Sequence, residues 1–314
     1  MLLVLGIVLR IGIGAVPSIR ADGVSFLTGM DWDTRPDHEE YGIFPAIWGT
    51  LYSSLLALLI GSVFGVAVAI FISERLLSTA VFGLLKYLGV QFHPFWGTLP
   101  DRLEGLLKNL VELLAAIPSV VYGLWGIFVV IPMIRPWCDV LSERLSWLPI
   151  FGSDQNGPLT LSGPGLLPAS MVLAIMILPT ISAISRDALS SVPPKLREAA
   201  YGLGATRWET VLGVTIPTAA GGIFGSIILG FGRALGETMA LAMLAGNANV
   251  ISWSVFSPAN TLAALLANHF PEADSVEVGA LMYAALVLLA ITLAVNVIGT
   301  LILQRANREL KGLR

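Results

Sequence analysis

The chain has 314 residues, of which 55% are hydrophobic and 12% charged, and its mean hydropathy is +0.81. Soluble domains carry about 25% charged residues, so this composition excludes a soluble globular protein and predicts a polytopic membrane protein. The single cysteine, Cys138, excludes an internal disulfide and a cysteine-rich metal site, and the few scattered basic residues indicate no nucleic-acid partner.

Six apolar stretches are long enough to cross a bilayer, which takes about 20 mostly apolar residues. In chain order the predicted spans are 1–19, 45–72, 107–134, 164–186, 218–246 and 278–303. The first is the weakest because Arg10 interrupts it, yet no small-residue cleavage site follows, so we expect a retained helix and not a signal peptide. The sequence therefore predicts an all-α protein with six transmembrane helices in a single membrane domain, residues 1–314.

The loop charges predict the orientation of the chain. The segments that follow alternate spans fall on opposite sides of the membrane. On one side, twelve Lys and Arg residues lie in segments 73–108, 186–209 and 305–314. On the other side, four lie in segments 19–44, 135–165 and 247–277. Because positively charged loops stay in the cytoplasm, we expect both termini to be cytoplasmic. Within the first of these loops, residues 79–90 fit either an amphipathic surface helix or a solvated connector.

The inner segment 189–217 is too patterned for a plain connector. Pro194 suits a helix start, and a short helix is expected over 195–201. Gly204 then allows a tight turn, after which a second helix begins near Ala205. A helix–turn–helix between two spans predicts a coupling element that docks into a groove on a cytoplasmic partner, although a re-entrant or surface helix also fits the pattern.

The same segment resembles the EAA loop of ABC importer permeases. Glu198, Ala199 and Ala200 are followed after three residues by Gly204, and after nine more by Val-Thr-Ile-Pro at 214–217. The family pattern is EAA, three residues, Gly, nine residues and I-x-L-P, so the spacing fits throughout. The resemblance implies the all-α type I ABC importer permease (MetI-like) fold, with those four residues as the coupling site for an ATPase.

No phosphate-cradling GxxxxGK[ST] loop occurs in the chain. The resemblance accordingly implies that ATP and Mg bind to separate ATPase subunits, that this chain binds no cofactor of its own, and that it is not an enzyme. The three histidines lie far apart in sequence, so a metal site is not expected, and no catalytic constellation of Asp, Ser and His is recognisable.

A narrower resemblance rests on three strings. Gly-Arg-Ala-Leu-Gly-Glu-Thr-Met-Ala at 232–240, Ile-Pro-Ser-Val-Val-Tyr-Gly-Leu-Trp-Gly at 117–126 and Leu-Ala-Ile-Met-Ile-Leu-Pro at 173–179 resemble the phosphate permeases of the Pst system. The 232–240 string is closer to the PstC type than to the PstA type. The resemblance implies phosphate as cargo, a PstA-like second permease, two PstB-like ATPases, a periplasmic PstS-like phosphate-binding protein, and a place in the bacterial inner membrane.

Arg233, Glu237 and Thr238 are the predicted substrate pathway. Arg233 and Glu237 lie four residues apart in an apolar segment, so we expect them to share a helix face and to pair. A guanidinium matches phosphate oxygens, and a nearby carboxylate would weaken the attraction enough for the anion to leave. The same pair could instead be a structural ion pair, since intramembrane charges also join helices.

Two other functions remain open on sequence grounds. A permease of the same fold could carry another oxyanion, because Arg233 by itself does not select phosphate. A self-contained secondary transporter would need no ATPase, but the EAA-like loop and the lack of repeated halves argue against it.

Overall fold

A computed structural model gives the structure of the protein, and it describes residues 2–35, 38–75, 99–152 and 163–312. Residues 79–90, for which a surface helix and a solvated connector were both expected, lie outside these residues. The helices are α1 (Leu2–Ala21), α2 (Ser25–Thr28), α3 (Phe44–Ser73), α4 (Leu99–Ala116), α5 (Ser119–Trp125), α6 (Ile131–Arg144), α7 (Leu166–Ser190), α8 (Pro194–Gly202), α9 (Arg207–Thr210), α10 (Ile216–Leu235), α11 (Met239–Leu244), α12 (Leu262–His269) and α13 (Ser275–Gly312). The all-α prediction is confirmed.

One short hairpin is added to the helices. Strands β1 (Trp32–Arg35) and β2 (His38–Tyr41) pair antiparallel, with Trp32 opposite Tyr41. Two π-helical turns, Gly126–Val130 and Val211–Thr215, join α5 to α6 and α9 to α10 without interrupting either run of helix.

Among the described residues, five helical runs are long and apolar enough to cross a membrane, so the chain is a multi-pass membrane protein. They are Phe44–Ser73, Ser119–Arg144, Leu166–Ser190, Arg207–Leu235 and Ser275–Arg305. The predicted spans 45–72, 164–186 and 278–303 fall within or close to three of them. Helix α1 covers the first predicted span, but it is not among the five runs found within the described residues, so the count of six is not reproduced there.

The third predicted span, 107–134, is misplaced. Helix α4 ends at Ala116, and a new helix begins at Ser119 and runs to Arg144. Pro118 causes the break, because it lacks an N–H for the helical ladder and its ψ of 141° is extended. Apolar periodicity continues across this proline, and the sequence pattern therefore joined two separate helices.

The fifth predicted span, 218–246, is also wrong at both ends. The helical run begins at Arg207, because Thr206 caps it, and it ends at Leu235. A non-helical break separates α10 from the short helix α11. Pro217 does not mark the start of the span. A proline lacks the N–H that a helix interior requires, and here the π-helical turn Val211–Thr215 lies just before it and accommodates the missing hydrogen bond.

The described chain forms two compact units, each made of three separated segments. Unit 1 contains Met1–Ala57, Pro118–Ala174 and Gly232–Val295. Unit 2 contains Leu58–Ile117, Ile175–Phe231 and Asn296–Arg314. Neither unit is a continuous stretch of sequence, so the assignment of one domain to residues 1–314 stays a prediction.

The core of unit 1 joins α1, the start of α3, α12 and α13. Phe26 stacks on Tyr283 with ring centroids 4.5 Å apart, and both belong to a buried cluster with Ile43. The Thr50 hydroxyl accepts a hydrogen bond from the Leu262 backbone N–H at 2.9 Å, which satisfies one of the free donors at the start of α12. The helices of this unit therefore meet through both apolar and polar contacts.

The core of unit 2 joins α3, α7 and α10. Its buried cluster consists of Ala69, Leu189, Val192, Ala219 and Ile223. Ile181 of α7 fits against two glycines, since a methyl group on Gly65 or Gly230 would lie within 3 Å of it. The Ser185 and Ser226 hydroxyls, both buried, are 2.7 Å apart and hydrogen-bonded. Small residues thus allow these helices to approach closely.

Gly49 lies where α3 passes the segment before α12, and that segment is too close to Gly49 to leave room for a side chain. A Cβ at this position would be 2.0 Å from the Asn260 carbonyl oxygen. We expect Gly49→Ala to lower the free energy of unfolding by about 1–3 kcal/mol, because backbone must move to relieve the clash. The measurement is the midpoint of thermal unfolding of the purified chain in detergent.

Gly225→Ala is the matched control. Gly225 is also helical, and no described atom lies within 4 Å of a Cβ built there. The control should unfold at or above the wild-type temperature, since alanine is favoured over glycine in a helix by about 1 kcal/mol. Equal unfolding temperatures for the two variants would contradict the close approach at Gly49.

Candidate functional site

The apolar helix α10 stops close to Arg233. It ends at Leu235, and Gly236, Glu237 and Thr238 form a break before α11. The N–H of Gly236 donates to the Arg233 carbonyl at 3.2 Å, and the N–H of Glu237 donates to the Ala234 carbonyl at 3.4 Å. Both bonds close a tighter turn than the α-helical one, so the helix does not continue through Glu237.

The prediction that Arg233 and Glu237 share a helix face is therefore wrong. Arg233 lies in the last turn of α10, whereas Glu237 lies in the break. Gly236 accounts for the difference, because glycine has low helix propensity and commonly ends helices. Their roles in a pathway stay a prediction.

The break gathers polar groups at one place in an otherwise apolar region. Arg233 is exposed, and Glu237 and Thr238 are half-buried. The Thr238 hydroxyl donates to the Gly236 carbonyl at 3.2 Å, which satisfies one backbone acceptor released by the break. Irregular backbone at membrane depth is tolerated where it is buried in protein or lines a water-filled cavity. The geometry of the break thus fits a polar pathway.

Two of the sequence strings pack against each other at this break. A Cβ at Gly123 would be 3.5 Å from the Cα of Ala240, the last residue of the 232–240 string, and 2.7 Å from the Met243 sulfur. A Cβ at Gly126 would be 2.6 Å from Leu244, which follows that string in α11. The glycines of the 117–126 string therefore let the helix that begins with α5 approach α11 closely. The 117–126 and 232–240 strings, which resemble one family in sequence, are thus also close to each other in space.

The predicted helix–turn–helix is confirmed, except that its second helix continues directly into the next span. Helix α8 begins with Pro194 at its first position, and Gly204 follows it with a φ of +88°. Thr206 then caps the next helix through a reciprocal pair of hydrogen bonds with Glu209. Proline at the start, a left-handed glycine in the turn and a capping box each have a defined local conformation, which is why the sequence predicted this element well.

The helix–turn–helix presents an apolar surface, which we call the coupling surface. No residue of α8 is buried. Glu198 and Ala199 are exposed, and Ala200 is half-buried. Three large apolar side chains beside them are exposed, with Leu203 at 90%: they are Tyr201, Leu203 and Trp208. Contiguous exposed apolar side chains rimmed by charge mark a surface that contacts another protein.

Sequence reasoning missed two ion pairs that hold this region. Arg197, next to Glu198, lies 3.1 Å from Glu74 at the end of α3. Arg186 of α7 lies 3.5 Å from Glu112 of α4. The partners are 74 or more residues apart in the chain, and no local spacing connects them. Among the described residues, no three His, Cys, Asp or Glu side chains come together as a metal site.

Comparison with known proteins places the chain in a family. The family of binding-protein-dependent transport system inner membrane components matches residues 95–311. Among curated proteins, the phosphate transport system permease protein PstC of Haemophilus influenzae is 38% identical over 309 residues, which are 98% of this chain and 89% of that protein. PstC of Xylella fastidiosa strain Temecula1 is 36% identical, over 94% of this chain and 83% of that protein.

A solved structure shares the fold. The inward-facing MetNI methionine ABC transporter aligns with a TM-score of 0.55 and 17% sequence identity. The alignment covers 84% of this chain and 95% of the MetNI chain. The predicted MetI-like permease fold is confirmed.

The turn at Gly204 generates a prediction about local stability. No described atom lies within 4 Å of a Cβ at Gly204, so a substitution there would meet only the backbone penalty of its positive φ. A left-handed conformation costs a non-glycine residue about 1–2 kcal/mol. We expect Gly204→Ala to speed amide hydrogen exchange in α8 and the turn by about fivefold to thirtyfold.

Gly202→Ala is the control for that measurement. Gly202 ends α8, equally free of neighbours within the described chain, and its φ is not positive. Its exchange should stay at the wild-type rate or slow slightly. Equal acceleration in both variants would show that the positive φ of Gly204 does not stabilise the turn.

Proposed function

Because the chain belongs to the family of binding-protein-dependent transport system inner membrane components, we propose that it is the permease subunit of an ATP-driven importer of inorganic phosphate. The observation that carries the proposal is its similarity, over nearly its whole length, to curated phosphate transport permeases. The chain is a transport subunit of an ABC transporter and works with other subunits; those relatives are named as permeases and not as enzymes.

Arg233, Glu237 and Thr238 line the phosphate pathway in this proposal. The helix break supports it, because it supplies a cation, an anion and a hydroxyl together with backbone groups released from the helical ladder. The guanidinium offers a planar set of donors to a phosphate oxygen pair. Glu237, held in the break by the backbone, keeps the site from becoming so positive that phosphate stays bound.

The coupling surface is the contact with the ATPase subunits. Glu198, Ala199, Ala200 and Gly204 are its EAA residues, and the exposed Leu203 and its aromatic neighbours supply apolar area to bury. ATP and Mg bind to two PstB-like ATPase chains, and this chain binds no cofactor. ATP-driven closure of the ATPases would move α8, and that motion would alternate the pathway between its outward and inward openings.

The remaining parts of the assembly follow from the same proposal. A PstA-like second permease completes the pathway, and a PstS-like phosphate-binding protein delivers phosphate from the periplasm. The positively charged segments around α8 and at the end of α13 lie in the bacterial cytoplasm, as the positive-inside rule requires. Both termini are then cytoplasmic, and lipid of the inner membrane surrounds the spans.

Arg233→Gln tests the pathway. We expect phosphate uptake to fall about tenfold or more, because loss of one charged contact to the anion costs about 1.5–3 kcal/mol. Uptake of radiolabelled phosphate is measured in phosphate-limited cells that depend on this importer, with membrane level and bound ATPase checked for each variant. Arg135→Gln is the control, since Arg135 is an exposed arginine within another span. Normal uptake in assembled Arg233→Gln would remove Arg233 from the pathway.

Leu203→Glu tests the coupling surface. A charge in place of a side chain that is 90% exposed should leave the isolated chain folded but should prevent burial against a partner. We expect the ATPase subunits no longer to co-purify with the permease. Val24→Glu is the matched control, because Val24 is 73% exposed and lies in the predicted periplasmic loop. Equal retention of the ATPase by both variants would contradict the assignment.

A further inference from the structure

A buried carboxylate lies at the end of α3 where the local electrostatics oppose it. Glu74 directly follows the helix, and its side chain is only 6% exposed. The C-terminal end of a helix carries partial negative charge, so a carboxylate there is unfavourable without a cation. Burial adds a desolvation cost to that repulsion. Glu74 therefore requires a cationic partner.

That partner is Arg197 of α8, which belongs to the same unit of the structure. The Arg197 Nη1 atom lies 3.1 Å from the Glu74 Oε1 atom, and the arginine side chain is 23% exposed. Its Nη2 atom donates a 3.0 Å hydrogen bond to the Leu189 carbonyl oxygen. Leu189 is in the last turn of α7, where carbonyls have no partner within the helix. One guanidinium thus joins α8 to the C-terminal ends of two long apolar helices.

The surroundings make this contact strong. Leu189 and Val192 are buried in the apolar cluster of unit 2, together with Ala69 of α3. Water is therefore largely excluded on that side of the ion pair, and charges attract more strongly where the effective dielectric constant is low. By contrast, the coupling surface of the same helix is exposed. Helix α8 accordingly has one face open to a partner and one residue tied to the spans.

The pair is not locked into a single hydrogen-bond geometry. Within the described residues, neither Glu74 Oε1 nor Arg197 Nε has a hydrogen-bond partner, although the two charged groups are in contact. Coulomb attraction depends weakly on angle, whereas a hydrogen bond weakens steeply when misaligned. The pair can therefore stay intact while α8 shifts, and spare donors and acceptors remain for a second arrangement.

We propose that Arg197 is a positioning residue that clamps α8 to the ends of α3 and α7, with Glu74 as its anchor, and transmits displacement of α8 to both spans. The inference rests on the proposed function, in which α8 receives the motion of an ATPase. It concerns how the motion reaches the pathway, which the exposed coupling surface alone does not explain.

The test uses the assembled importer, with its ATPases and binding protein, in lipid vesicles. The readout is phosphate transported per ATP hydrolysed. Arg197→Gln and Glu74→Gln should each lower that ratio by about tenfold while ATP hydrolysis continues, as expected when one partner of a partly buried ion pair is removed. Arg102→Gln is the matched control, because Arg102 is an exposed arginine of α4 in the same unit. It should keep the wild-type ratio.

Exchange of charges gives a second variant. Glu74→Arg combined with Arg197→Glu restores an ion pair but not the donor to the Leu189 carbonyl, so it should recover part of the ratio that either single change loses. If Arg197→Gln does not assemble, Arg197→Lys is used, since it keeps the charge but loses the forked geometry. A double variant no better than the single ones would overturn the pairing of Glu74 with Arg197.

Hydrogen exchange separates failure of this inference from failure of the proposed function. In the assembled complex, Glu74→Gln should speed amide exchange over residues 191–203 by about tenfold, whatever the cargo is. A wild-type complex that hydrolyses ATP but moves no phosphate would sink the phosphate assignment and leave this readout intact. Unchanged exchange would overturn the clamp, and faster exchange with an unchanged transport ratio would overturn its role in transmission.

Discussion

The structure depends on one constraint, which is that backbone N–H and C=O groups in a bilayer must find partners within the protein. Helices meet this constraint along almost the whole of the five spans. The chain departs from it between α10 and α11, where three residues leave the helical ladder. That departure occurs beside Arg233 and is supported by close packing of α11 on the helix that begins with α5. The break between α10 and α11 therefore accounts both for the irregular backbone and for the polar groups gathered beside Arg233.

Small residues make that packing possible. Apolar side chains gain little by leaving lipid for a protein interior, so helices in membranes associate mainly through close van der Waals contact. Gly123 and Gly126 let their helix approach α11 closely, and Gly65 and Gly230 leave room for the side chain of Ile181. A methyl group at any of these positions would overlap its neighbour unless the neighbour moved. The glycines act here through the space they leave, because none of these four has a positive φ.

The part of unit 2 around α8 is held differently. Charged contacts at helix ends, from Arg197 to Glu74 and from Arg186 to Glu112, join elements that are distant in sequence. Helix α8 has no buried residue, so its position depends on such contacts and on its capped turn more than on apolar burial. An element of this kind can move as a body, which suits a part that receives motion from another subunit.

Reasoning from the residues was enough to predict the membrane class, three of the spans within a few residues, and the helix–turn–helix with its turn at Gly204, because each depends on composition or on local conformational preference. The EAA spacing and the 232–240 string indicated the family for the same reason. Only the folded structure revealed that the helix breaks at Pro118 and after Leu235, that the two strings meet, and that Glu74 pairs with Arg197. Apolar periodicity does not register a short break, and contacts between residues far apart in the chain leave no pattern in a single sequence.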